Sequence, residues 1–130
     1  MQQHRGEIIV VEDDHSVTRA ITRLLQAAGF DARTFASSEA LLVEEPAEQR
    51  ADCFVIDMHL PGLSGIELYR KLREGGMCAP VVIITAHDDA THRRLATQIG
   101  AAAYITKPFS NRTLLNAIAS AILTDEQKRS

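Results

Sequence analysis

Four-residue runs without a polar side chain recur in this chain, each giving way to polar residues and then to an amphipathic stretch. Ile8-Ile9-Val10-Val11, Cys53-Phe54-Val55-Ile56 and Val81-Val82-Ile83-Ile84 carry the pattern most clearly. Continuous apolar runs suit parallel strands covered on both faces, whereas strands with one wet face alternate. The segments between them are long enough for a crossover helix, so the order reads as βα units around a parallel sheet. Residues 32–35 are more mixed and residues 102–105 short and small, which suits the two edges. Right-handed crossovers distribute the helices over both faces. The expected class is α/β, a doubly wound parallel sheet of five βα units.

The helices carry start and stop signals. Val17, Ile21, Leu24, Leu25 and Ala28 share one helical face, and Gly29 is placed to end that helix in a left-handed conformation. Ser64-Gly65-Ile66-Glu67 spells a capping box ahead of a stripe of Ile66, Tyr69 and Leu72. Ser37 or Ser38 opens a short helix through Leu42 that Pro46 ends, and Ser110 caps a last helix burying Leu114, Leu115, Ile118 and Ile122. Segment 89–99 offers only Leu95, Ile99 and alanines as apolar anchors. It reads either as a solvated helix with a narrow buried stripe or as a loosely held element that moves or meets a partner. Residues 124–130 read as a polar tail or the start of a linker, after a domain spanning 1–123.

A length of 130 residues fits one domain, and 45% hydrophobic with 24% charged residues fits a globular one. The formal net charge of −3 supplies no basic footprint, so this segment is not expected to grip nucleic acid itself. No apolar stretch is long enough to cross a bilayer, and residues 1–7 lack an apolar signal core. The expected location is the cytoplasm. Cys53 and Cys78 are far apart, so free thiols are expected rather than a disulfide. Neither cysteine has a histidine at zinc-ligand spacing.

Chemistry concentrates where the apolar runs stop. Asp13 and Asp14 follow the first run, Asp57 ends the third strand, Thr85 ends the fourth and Lys107 follows the fifth. In open parallel sheets, ligands bind beyond the carboxyl ends of the strands. Two carboxylates about 5 Å apart repel by roughly 3 kcal/mol at an effective dielectric near 20. Gathered acids therefore raise a pKa or recruit cations. Hard oxygen donors with room for water suit Mg²⁺. A cation, a lysine and a hydroxyl around one acceptor carboxylate are the equipment for phosphoryl transfer.

Glu12-Asp13-Asp14, Asp57 with Leu60-Pro61-Gly62 and Gly65, Thr85-Ala86, and Tyr104-Ile105-Thr106-Lys107-Pro108-Phe109 together resemble the receiver domain of two-component response regulators, over residues 8–123. The resemblance implies a CheY-like, flavodoxin-like (βα)5 sheet of strand order 2-1-3-4-5. It implies Asp57 as phospho-acceptor. Asp14 and Asp57 would ligate Mg²⁺ (or Mn²⁺ in its place) together with the His59 backbone carbonyl, and Asp13 would act through a bound water. Lys107 would hold the acceptor carboxylate and then a phosphoryl oxygen, and Thr85 would bond another. Donors would be a sensor histidine kinase or a small acyl phosphate. Thr85 and Tyr104 would form a switch that reshapes the surface of segments 89–99, 102–105 and 110–123 and drives homodimerisation. The Lys107–Pro108 bond would be cis. Such a chain is a signalling domain rather than an enzyme, although it assists its own phosphorylation and dephosphorylation.

The spelling around Asp57 and Lys107 resembles receivers of the FixJ type, which implies a DNA-binding domain beyond residue 130. The alternative is a stand-alone receiver that binds its target directly. His59 and His87 depart from the commonest spelling, and by resemblance they flank the path of the attacking water. They are expected either to adjust the lifetime of the phosphorylated form or to be ordinary loop histidines.

Each site residue also has a plainer role. Asp14 could cap the first helix, Thr85 could serve as a strand former, Lys107 could sit at the surface and Tyr104 could pack at an edge. A phospho-aspartate phosphatase would carry a second aspartate where His59 stands, and a lid for its substrate. A flavodoxin-like electron carrier would not place Asp13 and Asp14 against a flavin phosphate.

Overall fold

The structure, a computed structural model, describes residues 6–44 and 51–129. Its elements alternate as the apolar runs require: β1 (Glu7–Val11), α1 (His15–Ala27), β2 (Asp31–Phe35), α2 (Ser38–Leu42), β3 (Cys53–Asp57), α3 (Gly65–Glu74), β4 (Val81–Thr85), α4 (Ala90–Gln98), β5 (Ala103–Thr106) and α5 (Asn111–Arg129). All four strand pairings are parallel, in the order β2-β1-β3-β4-β5. Every residue of β3 and β4 is buried, whereas β2 and β5 are partly exposed. The continuous runs thus lie centrally and the mixed ones at the edges.

Side chains alternate across the sheet and build a core on each face. Ile9, Val11, Phe54, Ile56, Val81 and Ile83 pack with Leu41, Leu68, Tyr69, Leu72 and Ala96 of α2, α3 and α4. Ile8, Val10, Cys53, Val55, Val82 and Ile84 pack with Ile21 and Leu25 of α1 and with Leu114 and Ile118 of α5. Parity along each strand therefore decides which helices it meets.

The helix starts follow their capping residues. The Ser64 and Glu67 side chains complete the reciprocal capping box of α3. Ser37 caps α2, and Pro46, expected to end it, lies outside the described residues. Ser110 Oγ accepts from the Thr113 amide at the start of α5. Gly29 after α1 has φ 94°, a conformation that disfavours any side chain. Two spans differ from expectation. Strand β5 is shifted one residue later than 102–105, and the polar stretch from residue 124 continues α5 through Arg129. Asp125-Glu126-Gln127-Lys128 contains no breaker and mostly good helix formers, so the last helix has no reason to stop where its apolar anchors do. Among the described residues, no helix is long and apolar enough to cross a membrane.

Candidate functional site

The parallel register brings the carboxyl ends of four strands together. Asp57 sits opposite Ile84, Thr85 sits opposite Thr106, and the Lys107 amide donates to the Thr85 carbonyl at 2.7 Å. Four residues beyond Ala103, Lys107 reaches back across the sheet end. Its Nζ lies 2.6 Å from Glu12 Oε1 and 3.4 Å from Asp57 Oδ2. The His59 amide donates to Asp57 Oδ1 at 3.1 Å, fixing the other carboxylate oxygen. The Lys107–Pro108 peptide is cis.

Glu12, Asp13 and Asp57 each place a carboxylate oxygen within 4.8 Å of the other two. Glu12 and Asp57 are buried and Asp13 is exposed, so the cluster opens to solvent on one side. All-oxygen donors with an open side fit a small hard cation that keeps part of its water shell. Burial pushes the Glu12 carboxyl up to about 7, against the opposing pull of the Lys107 ammonium and the Asp14 amide. Burial alone would lower the Lys107 pKa, but its hydrogen bond to Glu12 and the charges of Asp57 and Glu12 outweigh that and raise it. The ammonium therefore stays charged beside Asp57.

The acidic tripeptide divides differently from the expected assignment. Asp14 points away from the cluster and caps α1. Its Oδ1 accepts from the Ser16 amide at 2.9 Å, the Ser16 hydroxyl at 2.7 Å and the Val17 amide at 3.3 Å. Those bonds, the Ser16 hydroxyl first, hold its carboxyl below the usual aspartate range. Glu12, part of the acidic motif but given no role from the sequence, is the acid nearest Lys107, at 2.6 Å against 3.4 Å for Asp57. The signal was present in the spacing. Asp14 stands three residues before Val17, the first residue of the apolar helical stripe, which is the capping position. Counting back from that cap leaves Glu12 and Asp13 facing the sheet end.

Thr85 is fully buried, and its hydroxyl accepts from the His87 amide at 3.0 Å and reaches the His87 carbonyl at 3.3 Å. The hydroxyl is thereby tied to the loop before α4. Tyr104 lies under that loop and helix, with the Arg93 guanidinium 4.7 Å over its ring. Its hydroxyl is buried without a hydrogen-bond partner among the described residues. Burial, with the nearby Asp88 carboxylate, raises its pKa. Arg93 also pairs with Asp88 at 2.8 Å. In α4 only Ala96 is buried, which is the narrow stripe read from the sequence.

Gly65 has a steric task. A Cβ there would clash with the Asp57 carbonyl and come within 2.9 Å of Met58 Cα. Its amide donates to the Met58 carbonyl at 3.1 Å. The absence of a side chain lets α3 begin directly against the loop after Asp57.

Comparison with known proteins agrees with this geometry. The sequence profile of the response regulator receiver domain matches residues 8–119. The response regulator protein TmoT of Ectopseudomonas mendocina is 33% identical over 98% of this chain and 58% of its own length. The transcriptional regulatory protein FixJ of Bradyrhizobium diazoefficiens is 34% identical over 91% of this chain and 57% of its own. The crystal structure of full-length FixJ from B. japonicum superposes with a TM-score of 0.87 at 33% identity, covering 95% of this chain and 61% of that one. A CheY-like receiver from Methanospirillum hungatei shares the fold, with a TM-score of 0.86 at 23% identity over 94% of this chain and 97% of that one. The chain thus spans a little over half the length of these curated relatives.

Proposed function

The chain belongs to the response regulator receiver domain family, and on that footing we propose that Asp57 accepts a phosphoryl group and that the domain uses the modification to control association. The observation that carries this reading is the position of Asp57. Its buried carboxylate has one oxygen oriented by the His59 amide and the other facing the Lys107 ammonium at 3.4 Å. In the transfer, an Asp57 oxygen forms a bond to phosphorus as the bond to the leaving group breaks. The leaving group is the imidazole of a phosphohistidine on a sensor kinase, or the carboxylate of a small acyl phosphate. Lys107 stabilises the negative charge spread over the phosphoryl oxygens, and the Thr85 hydroxyl takes one of them after releasing the His87 amide.

Asp13, Asp57 and the His59 carbonyl are the groups proposed to hold Mg²⁺, with Glu12 beside them; Asp14 is left to its helix. The cation would supply charge neutralisation for the incoming phosphoryl group. A groove of about 490 Å³ between α1 and the turn after β5 opens beside Lys107, lined by Val17, Ile21, Leu24, Pro108 and Phe109. Its position and apolar lining suit the approach of a donor protein.

Withdrawal of the Thr85 hydroxyl from His87 would free the loop before α4, moving Tyr104 and the α4–β5–α5 surface. This supports a phosphorylation-dependent homodimer. His59 and His87, both exposed beside the acceptor, are proposed to set the lifetime of the acyl phosphate. The relatives' greater length, and the name transcriptional regulator carried by one, support a DNA-binding output region attached to a receiver of residues 1–123 in a cytoplasmic protein. The test is incubation with acetyl phosphate and Mg²⁺ followed by intact-mass measurement. Wild type gains one phosphoryl group and Asp57→Ala gains none; a wild type that stays unmodified sinks the reading.

A further inference from the structure

Three of the five histidines stand together although the sequence scatters them. His59 follows β3, His87 follows β4, and His92 lies in the first turn of α4. The His59 ring centre is 5.0 Å from that of His87 and 4.6 Å from that of His92, edge to face in both cases. Two imidazoles on one zinc ion, with metal–nitrogen bonds of about 2.0–2.1 Å, place their ring centres roughly 5 Å apart. The spacing is that of shared ligands.

The ring orientation of His92 is set by its neighbours. Its Nδ1 lies 3.0 Å from Asp89 Oδ2 and 3.1 Å from the His87 carbonyl. Both are acceptors, so Nδ1 faces them as a donor and Nε2 is the nitrogen turned away from both. A carboxylate on the outer nitrogen is how metal-bound histidines are commonly oriented.

We propose that His59, His87 and His92 form a binding site for a divalent cation of the zinc class, distinct from the carboxylate cluster and with a fourth position open to water. Among the described residues, only Glu12, Asp13 and Asp57 already hold ligand atoms within 4.8 Å of one another. Bringing histidine nitrogens that close calls for a turn of the His59 and His87 rings, both exposed, about their broad terminal torsions. An ion held there ties the loop after Asp57 to the first turn of α4, and to His87, whose amide holds Thr85.

The test is a Co²⁺ titration followed by visible absorption, in excess Mg²⁺ to occupy the carboxylate cluster. Wild type and Asp57→Asn develop the intense bands of a four-coordinate site of three nitrogens and a water, saturating at one equivalent and displaced by Zn²⁺. His87→Ala and His92→Gln, checked for folding by circular dichroism, lose affinity by roughly tenfold or more. Absence of the bands in wild type overturns the proposal. So does their survival at full affinity in both histidine variants, or their loss in Asp57→Asn alone, which assigns the ion to the acids. None of these outcomes depends on whether Asp57 accepts phosphate.

Discussion

The middles and the carboxyl ends of the same strands obey opposite rules. Between Ile8 and Val11, Cys53 and Ile56, and Val81 and Ile84, every side chain is apolar and buried. One residue further on, Glu12, Asp57 and Thr85 are just as deeply buried and polar, and they make up three of the four buried polar residues of the described chain. The fourth, Ser38, donates its hydroxyl to the Leu63 carbonyl and ties the start of α2 to the loop before α3. The middles hold the sheet between its helices. The ends gather like charges that a fold selected only for stability would shed, so their presence points to a ligand.

That contrast can be broken most directly by one substitution at each place. Asp57→Asn is expected to abolish phosphoryl incorporation from acetyl phosphate completely, while thermal unfolding stays at or above the wild-type midpoint because one of the crowded carboxylates is gone. Phe54→Ala, three residues earlier in β3, is expected to lower stability by about 3–5 kcal/mol in urea unfolding. Comparable destabilisation by both would erase the distinction. Next in size, Lys107→Gln should slow incorporation by about 10²–10³, the usual effect of removing one donor to a developing negative charge. A rate within a few-fold of wild type would leave Lys107 a structural partner of Glu12 only.

A finer cut separates adjacent acids. Asp13→Asn is expected to weaken Mg²⁺ binding, read by fluorescence or NMR titration, by about tenfold or more. Asp14→Ala is expected to leave Mg²⁺ affinity unchanged and to lower the melting temperature through the lost cap of α1. The reverse pattern would restore Asp14 as the ligand. The smallest effect concerns thiols. Cys78 is exposed and should react with a maleimide in the native protein. Cys53, with its thiol pushed up to about 12 mainly by burial, should react only on unfolding. Native labelling of both would mean that β3 is less protected than its burial indicates.

Much of this was legible in the chain because the signals are local or periodic. The apolar runs placed β1, β3 and β4 within a residue, and Ser64 with Glu67 announced α3. Asp57, Thr85 and Lys107, which the sheet brings to neighbouring strand ends, stand out in the sequence because each directly ends or follows an apolar strand. Glu12 escaped because three acids in a row look equivalent until the helix start is counted back from Val17. The continuation of α5 is not marked by its apolar anchors, because the backbone needs only the absence of a breaker.

The amino-acid order alone determined the class of the fold, the strand order implied by its resemblance, and the residues at the sheet's chemical edge. Those depend on periodicity and on which side chain follows which. Only the folded chain decided that Glu12 meets Lys107 while Asp14 caps α1, that Gly65 lies against the Asp57 carbonyl, and that His59, His87 and His92 share one spot. Each is a matter of direction and through-space distance between segments far apart in the chain. Parallel register and helix caps set those distances, and spacing in the sequence does not encode them.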